Sequence, residues 1–190
     1  MPRRSIPLLG DHYYHIYNRV IYGRKLFYSS QDYVDYLNLF KQIDFLSSCR
    51  LIAYCLMPNH YHYLAYIIDP ELFSKKMMFF FNKFLKSLNV ARHESGRYFV
   101  NRFQAKTVNN ERYLIQLCCY IHLNPLKTGL VKSLEDWPFS NYLDFMGKRR
   151  GELWDKTFFD KFIGTATDYE GYIRSLWDDS KLEPYVFGND

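Results

Sequence analysis

The segment RLIAYCLMPNHYHYLAYII, residues 50–68, holds two apolar runs separated by Pro58-Asn59. Both runs are rich in β-branched and aromatic residues, and proline followed by asparagine is typical of a tight turn. The segment is therefore predicted to form an antiparallel hairpin of two strands. His60 and His62 begin the second strand. Because alternate residues of a strand point to the same face, the two imidazoles are expected to lie side by side.

The spacing of His60 and His62 suits two ligands of one metal ion. Two histidines on a strand are also common as ordinary hydrogen-bonded polar residues. The pair alone does not choose between these interpretations. A third ligand and a reactive group elsewhere in the chain would favour the metal site.

Length and composition limit the classes of protein to be considered. With 190 residues and 48% hydrophobic residues, the chain is expected to form one domain, or one domain with an appendage. No apolar run reaches about 18 residues, so no membrane-spanning helix is expected, and the basic N-terminus lacks the apolar segment of a secretory signal. The four cysteines show no Cys-x-x-Cys spacing, which favours free thiols over a zinc or disulfide framework. We therefore expect a cytoplasmic protein.

Charge is distributed unevenly along the chain. Residues 1–150 carry 21 basic and 11 acidic side chains, whereas residues 151–190 carry 4 basic and 9 acidic ones. A basic body favours a polyanionic partner, although a solvated lysine-rich surface explains the same balance. The 18 tyrosines could stack on unpaired bases, but most of them are needed in strands and core.

The remaining elements follow a recognisable order. Outside the hairpin, the sequence predicts a strand over residues 12–20, a helix from about 30 to 46, a helix from 71 to about 93, strands near 98–108 and a helix over 111–124 ended by Pro125. This β-α-β-β-α-β order predicts an α+β fold, in which an antiparallel sheet has two helices on one face. The other face is expected to be open, with the helix over 111–124 near the histidine pair.

The C-terminal part of the chain is predicted to be less regular. Residues 1–147 are expected to form the main domain, and residues 148–190 an acidic extension of unknown role. A small helix is expected to start within residues 137–142. Weak helical segments are predicted over 154–163 and 168–177, followed by an unstructured end. The extension could be a lid, a partner surface or a packing element.

The predicted helix over residues 111–124 carries a polar stripe. Gln116, Tyr120 and Asn124 are spaced four apart and share one helix face. Asn124 can offer a carbonyl oxygen as a third metal ligand, and Tyr120 can offer a phenolic oxygen as a nucleophile toward a phosphate. An exposed or helix-capping stripe explains the same residues, since asparagine before proline often only ends a helix. Tyr113 lies on a similar face and is a competing nucleophile.

Four motifs, taken in order, resemble those of the HUH-type single-tyrosine transposases. They are HYYHIYNR at 12–19, MPNHYHYL at 57–64, YIHLNPLKTGLV at 120–131 and WPFSNY at 137–142. More narrowly, the chain resembles the REP-associated tyrosine transposases, which are insertion-sequence transposase-like proteins with a Tyr-Ile-His-x-Asn-Pro signature. The resemblance covers about residues 10–147.

The resemblance implies a ferredoxin-like fold with a C-terminal catalytic helix. His60, His62 and Asn124 would bind a divalent ion, Mg²⁺ or Mn²⁺, and Tyr120 would attack a phosphodiester of single-stranded DNA. The product would be a covalent 5′-phosphotyrosine and a free 3′-hydroxyl, and a second hydroxyl would then rejoin the strands. Substrates in this branch are single strands folded as imperfect hairpins. The protein would act as a monomer or a homodimer.

Further residues are assigned possible roles in this interpretation. Gln116 and His15 are candidates for supporting the site. Members of the family often carry a Gly/Asn-rich stretch after the first strand, whereas this chain has Val20-Ile21-Tyr22-Gly23, so the sequence preference for DNA is left open. The candidate contacts to the DNA backbone are Arg19, Arg24, Lys25, Lys83, Lys86, Arg97, Arg102 and Lys106.

Two other functions are compatible with the sequence. One is a module that binds DNA hairpins without cutting them, and the other is a metal-dependent phosphodiesterase that uses water as the nucleophile. The presence of His60, His62, Tyr120 and Asn124 together favours an enzyme over a binding module. We therefore expect a metal-dependent tyrosine transposase that cleaves single-stranded DNA and transfers the strand.

Overall fold

A four-stranded antiparallel sheet forms the centre of the protein, for which a computed structural model describes residues 7–178. The strands are β1 His12–Arg19, β2 Cys49–Met57, β3 His60–Ile67 and β4 Gln104–Val108. Their order across the sheet is β2-β3-β1-β4. This order is that of the ferredoxin-like β-α-β-β-α-β arrangement, so the predicted α+β fold is confirmed.

The hairpin of β2 and β3 lies as the sequence predicts, with Pro58-Asn59 between the strands. Met57 pairs with His60 and Cys55 pairs with His62, so the pairing register begins directly at the turn. The turn is also held from outside, because Val20 N–H donates to the Asn59 carbonyl at 2.9 Å. The start of β3 is therefore fixed by the backbone on both sides.

Two helices cover one face of the sheet. They are α1 Ser30–Gln42, which begins with a capping box formed by Ser29 and Asp32, and α2 Pro70–Ala91, which is capped by Asp69. Between these helices and the sheet lies a core of large aromatic side chains. Its most deeply buried aromatic members are Tyr36, Phe45, Tyr61, Phe73, Phe80 and Tyr98.

The second face of the sheet is covered too, so the prediction of an open face is wrong. Four helices lie on this side: α3 Glu111–Lys127, α4 Tyr142–Phe145, α5 Lys156–Phe162 and α6 Ala166–Asp178. The reason is that the hairpin presents apolar side chains here, among them Ile52 and Leu64, which join the core beneath α3. The acidic segment is therefore a packing element up to Asp178, since α5 and α6 supply Phe158, Phe159 and Tyr169 to this core.

Helix α3 continues through Pro125 to Lys127, although Pro125 was predicted to end it. Proline lacks the N–H that would donate to the carbonyl of Ile121, four residues back. The side chain of Asn124 compensates, because its Nδ2 donates to the carbonyls of Tyr120 at 2.8 Å and Ile121 at 3.4 Å. Thr128 N–H then donates to the Asn124 carbonyl at 3.1 Å, which closes the last turn.

Smaller differences concern the segments around these elements. The predicted strand near residues 98–100 is absent. Tyr98 and Phe99 belong to a loop there, and they are buried in the aromatic core between the sheet and the helices α1 and α2. The helix predicted from 137–142 forms only the single turn of α4, and short 3₁₀ helices occur at Phe45–Ser47 and Leu134–Asp136. The two weak C-terminal helices occur as α5 and α6. The rest of the predicted unstructured end, residues 179–190, lies outside the described residues.

Two expectations from composition can be compared with the described residues. All four cysteines are free, as predicted, and the structure shows in addition that all four are buried. Within residues 7–178, no helix is long and apolar enough to cross a membrane.

The packing of α5 gives a test of whether the acidic segment belongs to the main fold. Phe159 is 7% exposed, and its ring centroid lies 5.0 Å from that of Phe145 and 6.4 Å from that of Tyr169. Replacing Phe159 with alanine should lower the free energy of unfolding by about 3–5 kcal/mol because it leaves a cavity in the shared core. Urea denaturation followed by circular dichroism measures the change.

Tyr172, which is 42% exposed on α6, provides the control. Tyr172→Ala should change the free energy of unfolding by only about 0.5 kcal/mol. An unchanged denaturation midpoint for Phe159→Ala would show that α5 is an appendage and not part of the cooperative unit.

Candidate active site

The two predicted histidines of β3 lie on the sheet face that α3 covers. The ring centroids of His60 and His62 are 5.0 Å apart, with the ring planes at 86° to each other. Both side chains are buried, and burial lowers the pKa of His60 to about 3 and that of His62 well below its ordinary value. Both imidazoles are therefore neutral near pH 7, which is the form that binds metal ions.

Each histidine is held at Nδ1 by a neighbouring side chain. His60 Nδ1 lies 2.7 Å from Asn59 Oδ1, and His62 Nδ1 lies 2.9 Å from His15 Nε2. An amide oxygen only accepts hydrogen bonds, so His60 carries its proton on Nδ1 and its lone pair on Nε2. That tautomer is the one that a metal bound at Nε2 requires.

Helix α3 brings Tyr120 and Asn124 to the same place. The ring centroid of Tyr120 lies 5.6 Å from that of His62 and 6.2 Å from that of His15. Asn124 lies close enough to both His60 and Tyr120 to shift the pKa of each. Four residues therefore meet on one side of the sheet, although the first and the last, His60 and Asn124, are 64 positions apart in the sequence.

The phenol of Tyr120 is protonated at neutral pH. The side chain is 4% exposed, and burial raises its pKa to about 12, against a smaller lowering effect of the hydrogen bond with Asn124. A protonated phenol is a weak nucleophile, so any attack on a phosphate needs an activated target or a group that takes the proton. Lys127 lies over this ring, with Nζ 5.6 Å from the ring centroid, and burial lowers the lysine pKa.

Three residues at the site were not singled out from the sequence. Tyr17 is paired with His62 across β1 and β3, Asn59 holds His60, and Lys127 lies over Tyr120. Each has a simple spacing signal. Tyr17 follows His15 by two residues on β1, Asn59 directly precedes His60, and Lys127 follows Tyr120 by seven residues on one helix.

The residues suggested for supporting roles have different environments. His15 is 3% exposed and contacts His62 directly. Gln116 lies one turn before Tyr120 on α3 and is half-buried. Tyr113, the competing nucleophile, is half-buried against the core beneath α3.

The candidate DNA-binding cations divide between the two faces of the sheet. Arg19 is paired with His60, and Lys106 is paired with His15, so both exposed side chains lie on the face of the histidines. Lys83 and Lys86 are exposed on α2, which packs on the opposite face. The structure therefore brings Arg19 and Lys106 to the site and separates Lys83 and Lys86 from it.

The remaining candidate cations lie in or near loops. Arg24 is occupied within the protein, since its Nη2 donates to the Ser95 carbonyl at 2.6 Å and its guanidinium lies 4.6 Å from the ring centroid of Tyr98. Arg24 therefore anchors the loop before β4. Lys25, Arg97 and Arg102 are exposed.

The donor atoms of the site suit a divalent cation. Within residues 7–178, no group of three His, Cys, Asp or Glu side chains is placed to hold a metal ion. A metal at this position would use the imidazoles of His60 and His62 together with an amide oxygen. Asn124 can supply that oxygen because its Nδ2 faces the helix carbonyls. Nitrogen and oxygen donors of this kind suit Mg²⁺ less well than Mn²⁺, but both ions accept them.

Comparison with known proteins identifies the family of this chain. Residues 9–124 match the family model described as "Transposase IS200 like". The chain belongs to the IS200-like transposase family. The family match ends at Asn124 and includes His60, His62 and Tyr120.

This IS200-like transposase is similar to two proteins named as REP-associated tyrosine transposases. A Haemophilus influenzae protein named as a REP-associated tyrosine transposase is 23% identical over 123 residues, which is 57% of this chain and 69% of that protein. A solved structure of a REP-associated tyrosine transposase bound to a REP hairpin matches with a TM-score of 0.61 at 18% identity, covering 82% of this chain and 94% of that one. The resemblance inferred from the four motifs is confirmed.

Because several histidines are buried in the neutral form, we expect the free energy of unfolding of this transposase to fall in mild acid. His15 and His60 have pKa values of about 3 in the folded chain, and His122 has one of about 4, against an ordinary value of 6.5. The stability that these neutral groups confer is fully present above pH 6.5 and is lost as pH falls toward the folded values. The urea midpoint should therefore be lower at about pH 5 than at about pH 7.

His15→Gln removes one of these proton-binding groups and should reduce the difference between the two midpoints. The loss per histidine is at most about 1.4 kcal/mol for each pH unit. Equal midpoints at both pH values would contradict the burial of neutral histidines.

Proposed function

We propose that this protein cleaves and rejoins single-stranded, hairpin-forming DNA through a covalent link to Tyr120. The supporting observation is that Tyr120 and Asn124 of α3 meet His60 and His62 of β3 on one face of the sheet. In this proposal His60, His62 and Asn124 hold a divalent ion, Mg²⁺ or Mn²⁺. When bound, the ion polarises the phosphate that is attacked.

The protein's own residues supply the nucleophile and its orientation. Tyr120 Oη forms a bond to phosphorus while the bond from phosphorus to the 3′-oxygen breaks. The phenolic proton passes to solvent, and the departing 3′-oxygen takes up a proton, so the products are a 5′-phosphotyrosine and a 3′-hydroxyl. The edge-on contacts of the Tyr120 ring with His15 and His62 limit how far the phenol can turn.

The second step reverses the first with another DNA end. A 3′-hydroxyl attacks the phosphotyrosine, forms a new phosphodiester and releases Tyr120. Because the pKa of Tyr120 is about 12, the released phenolate regains its proton at neutral pH. The phosphotyrosine keeps the energy of the broken phosphodiester, so rejoining needs no other energy source.

The choice of DNA as substrate has two supports. One is the family, together with the related protein whose structure is bound to a REP hairpin. The other is the position of Arg19 and Lys106, whose exposed side chains lie on the same face as the histidines. Cations at this position can neutralise the phosphates of a strand that enters the site.

Replacing Tyr120 tests the nucleophile. Tyr120→Phe should abolish the covalent adduct formed with short single-stranded hairpins from DNA that flanks the gene, in the presence of Mn²⁺. Binding of the same hairpins should survive, because the ring is kept and only the hydroxyl is lost. A denaturing gel measures the adduct, and a gel shift measures the binding.

Tyr113→Phe is the matched control and should keep the adduct. An adduct that persists in Tyr120→Phe but is lost in Tyr113→Phe would assign the nucleophile to Tyr113. Hairpin binding by the wild type without any metal-dependent cleavage would indicate a binding module. Cleavage without a protein-linked phosphate would indicate a phosphodiesterase that uses water.

Removing charge tests the path of the DNA. The double variant Arg19→Gln, Lys106→Gln should bind hairpins more weakly and lower the slope of log affinity against log salt by about one for each lost phosphate contact. Lys83→Gln, Lys86→Gln removes the same charge from the opposite face of the sheet and should bind nearly as tightly as the wild type. Fluorescence anisotropy at several salt concentrations measures both variants. Equal losses in the two variants would contradict binding on the histidine face.

A further inference from the structure

His15 occupies a defined place behind the histidine pair. It is 3% exposed on β1, and its ring lies edge to edge with that of His62, with centroids 5.1 Å apart and planes at 20° to each other. Its Nε2 lies 2.9 Å from His62 Nδ1. His15 therefore holds the His62 ring by a hydrogen bond, as Asn59 holds the His60 ring.

The protonation states follow from simple chemistry. A neutral imidazole carries one N–H, so one ring of the pair donates and the other accepts. His62 must be neutral to bind a metal ion, and its Nδ1 lies at hydrogen-bond distance from His15 Nε2, so two positions of the shared proton remain to be compared. If His62 is the donor, its proton is on Nδ1 and its lone pair is on Nε2. If His15 is the donor, the lone pair of His62 is on Nδ1 and is taken up by the hydrogen bond.

Only the first arrangement gives both strand histidines the same tautomer. Asn59 already sets His60 with its proton on Nδ1. The equivalent state of His62 gives two Nε2 lone pairs on one face of β3, which is what two ligands of a single ion require.

We propose that His15 is a positioning residue that accepts the Nδ1–H of His62 and so turns the Nε2 lone pair of His62 toward the metal. This inference rests on the proposed function, because it assumes that His62 binds a metal ion. His15 does not itself contact the substrate or the ion. It sets which nitrogen of His62 can do so, and it resists rotation of that ring.

Two substitutions separate the hydrogen bond from simple packing. His15→Gln places an amide close to the position of the imidazole Nε2 and can still accept the hydrogen bond from His62. His15→Phe keeps an aromatic ring of similar size but cannot accept it. A residue that only fills space would tolerate phenylalanine at least as well as glutamine.

Tyr14→Phe is the matched control on the same strand. Tyr14 is equally buried but lies on the other face of the sheet, where its hydroxyl accepts a hydrogen bond from Leu9 N–H at 2.9 Å. The control thus also loses one buried hydrogen bond, at a place away from the histidines.

Calorimetric titration with Mn²⁺ measures the effect on metal binding by the full chain. His15→Phe should bind Mn²⁺ about 10–100-fold more weakly than the wild type, whereas His15→Gln should stay within a few-fold of it. Tyr14→Phe should bind like the wild type. Hairpin binding without metal should be the same in all four proteins, which shows that each is folded.

Nitrogen NMR of the metal-free protein reads the tautomer directly. His62 should carry its proton on Nδ1 in the wild type and in His15→Gln, and should become a mixture of tautomers in His15→Phe. The inference is overturned if wild-type His62 carries its proton on Nε2, or if His15→Phe binds Mn²⁺ as tightly as the wild type. A wild type that binds no Mn²⁺ at all would overturn the metal site of the proposed function as well, and the NMR result separates that failure from a wrong tautomer.

Discussion

The packing of α3 against the β2–β3 hairpin is the contact on which the candidate site depends. One side of this helix is buried against β2, and the far side is held by His122, which bonds to Tyr169 at 2.6 Å and to Asn141 at 2.8 Å. Asn141 in turn donates to the Ile52 carbonyl of β2 at 2.8 Å. Rotation of α3 about its own axis would break these buried hydrogen bonds. The helix is therefore fixed in the orientation that turns Tyr120 toward the strand histidines.

Burial keeps the histidines and the tyrosine of the site uncharged before any phosphate arrives. The imidazoles of His60 and His62 are uncharged near pH 7, and so is the phenol of Tyr120. An uncharged cluster costs less to bury than a charged one, and it places donor atoms without repelling a cation. The same burial makes Tyr120 a weak nucleophile, so the proposed chemistry depends on the ion and the phosphate arriving together. A protonated phenol is too weak a nucleophile to attack a free phosphate in solution without such activation.

Much of the fold and the pairing of site residues could be predicted because the signals are local. The turn at Pro58-Asn59 and the spacings of two and four residues within single elements are visible in the sequence. The contact of His15 with His62 joins residues 47 positions apart, and it depends on the register of β1 on β3, which no local pattern sets. The covering of the second sheet face was missed for a similar reason, since the apolar residues of α5 and α6 have a partner only once α3 is in place. The end of α3 was placed too early, at Pro125, because the side chain of Asn124 supplies the hydrogen bond to Ile121 that proline cannot make.

The charges that border the site face favour one direction of approach for a polyanion. Asp155 caps α5, and its carboxylate lies 3.8 Å from the guanidinium of Arg50 of β2, so these two charges offset each other on the β2 side of the face. Arg19 and Lys106 border the side formed by β1 and β4. A DNA strand is attracted by the unbalanced positive charge on the side of β1 and β4 more than by the offset pair on the β2 side, and the effect acts over about 8–10 Å at physiological salt. In the proposed reaction the strand is therefore expected to approach Tyr120 over β1 and β4, where Arg19 and Lys106 lie.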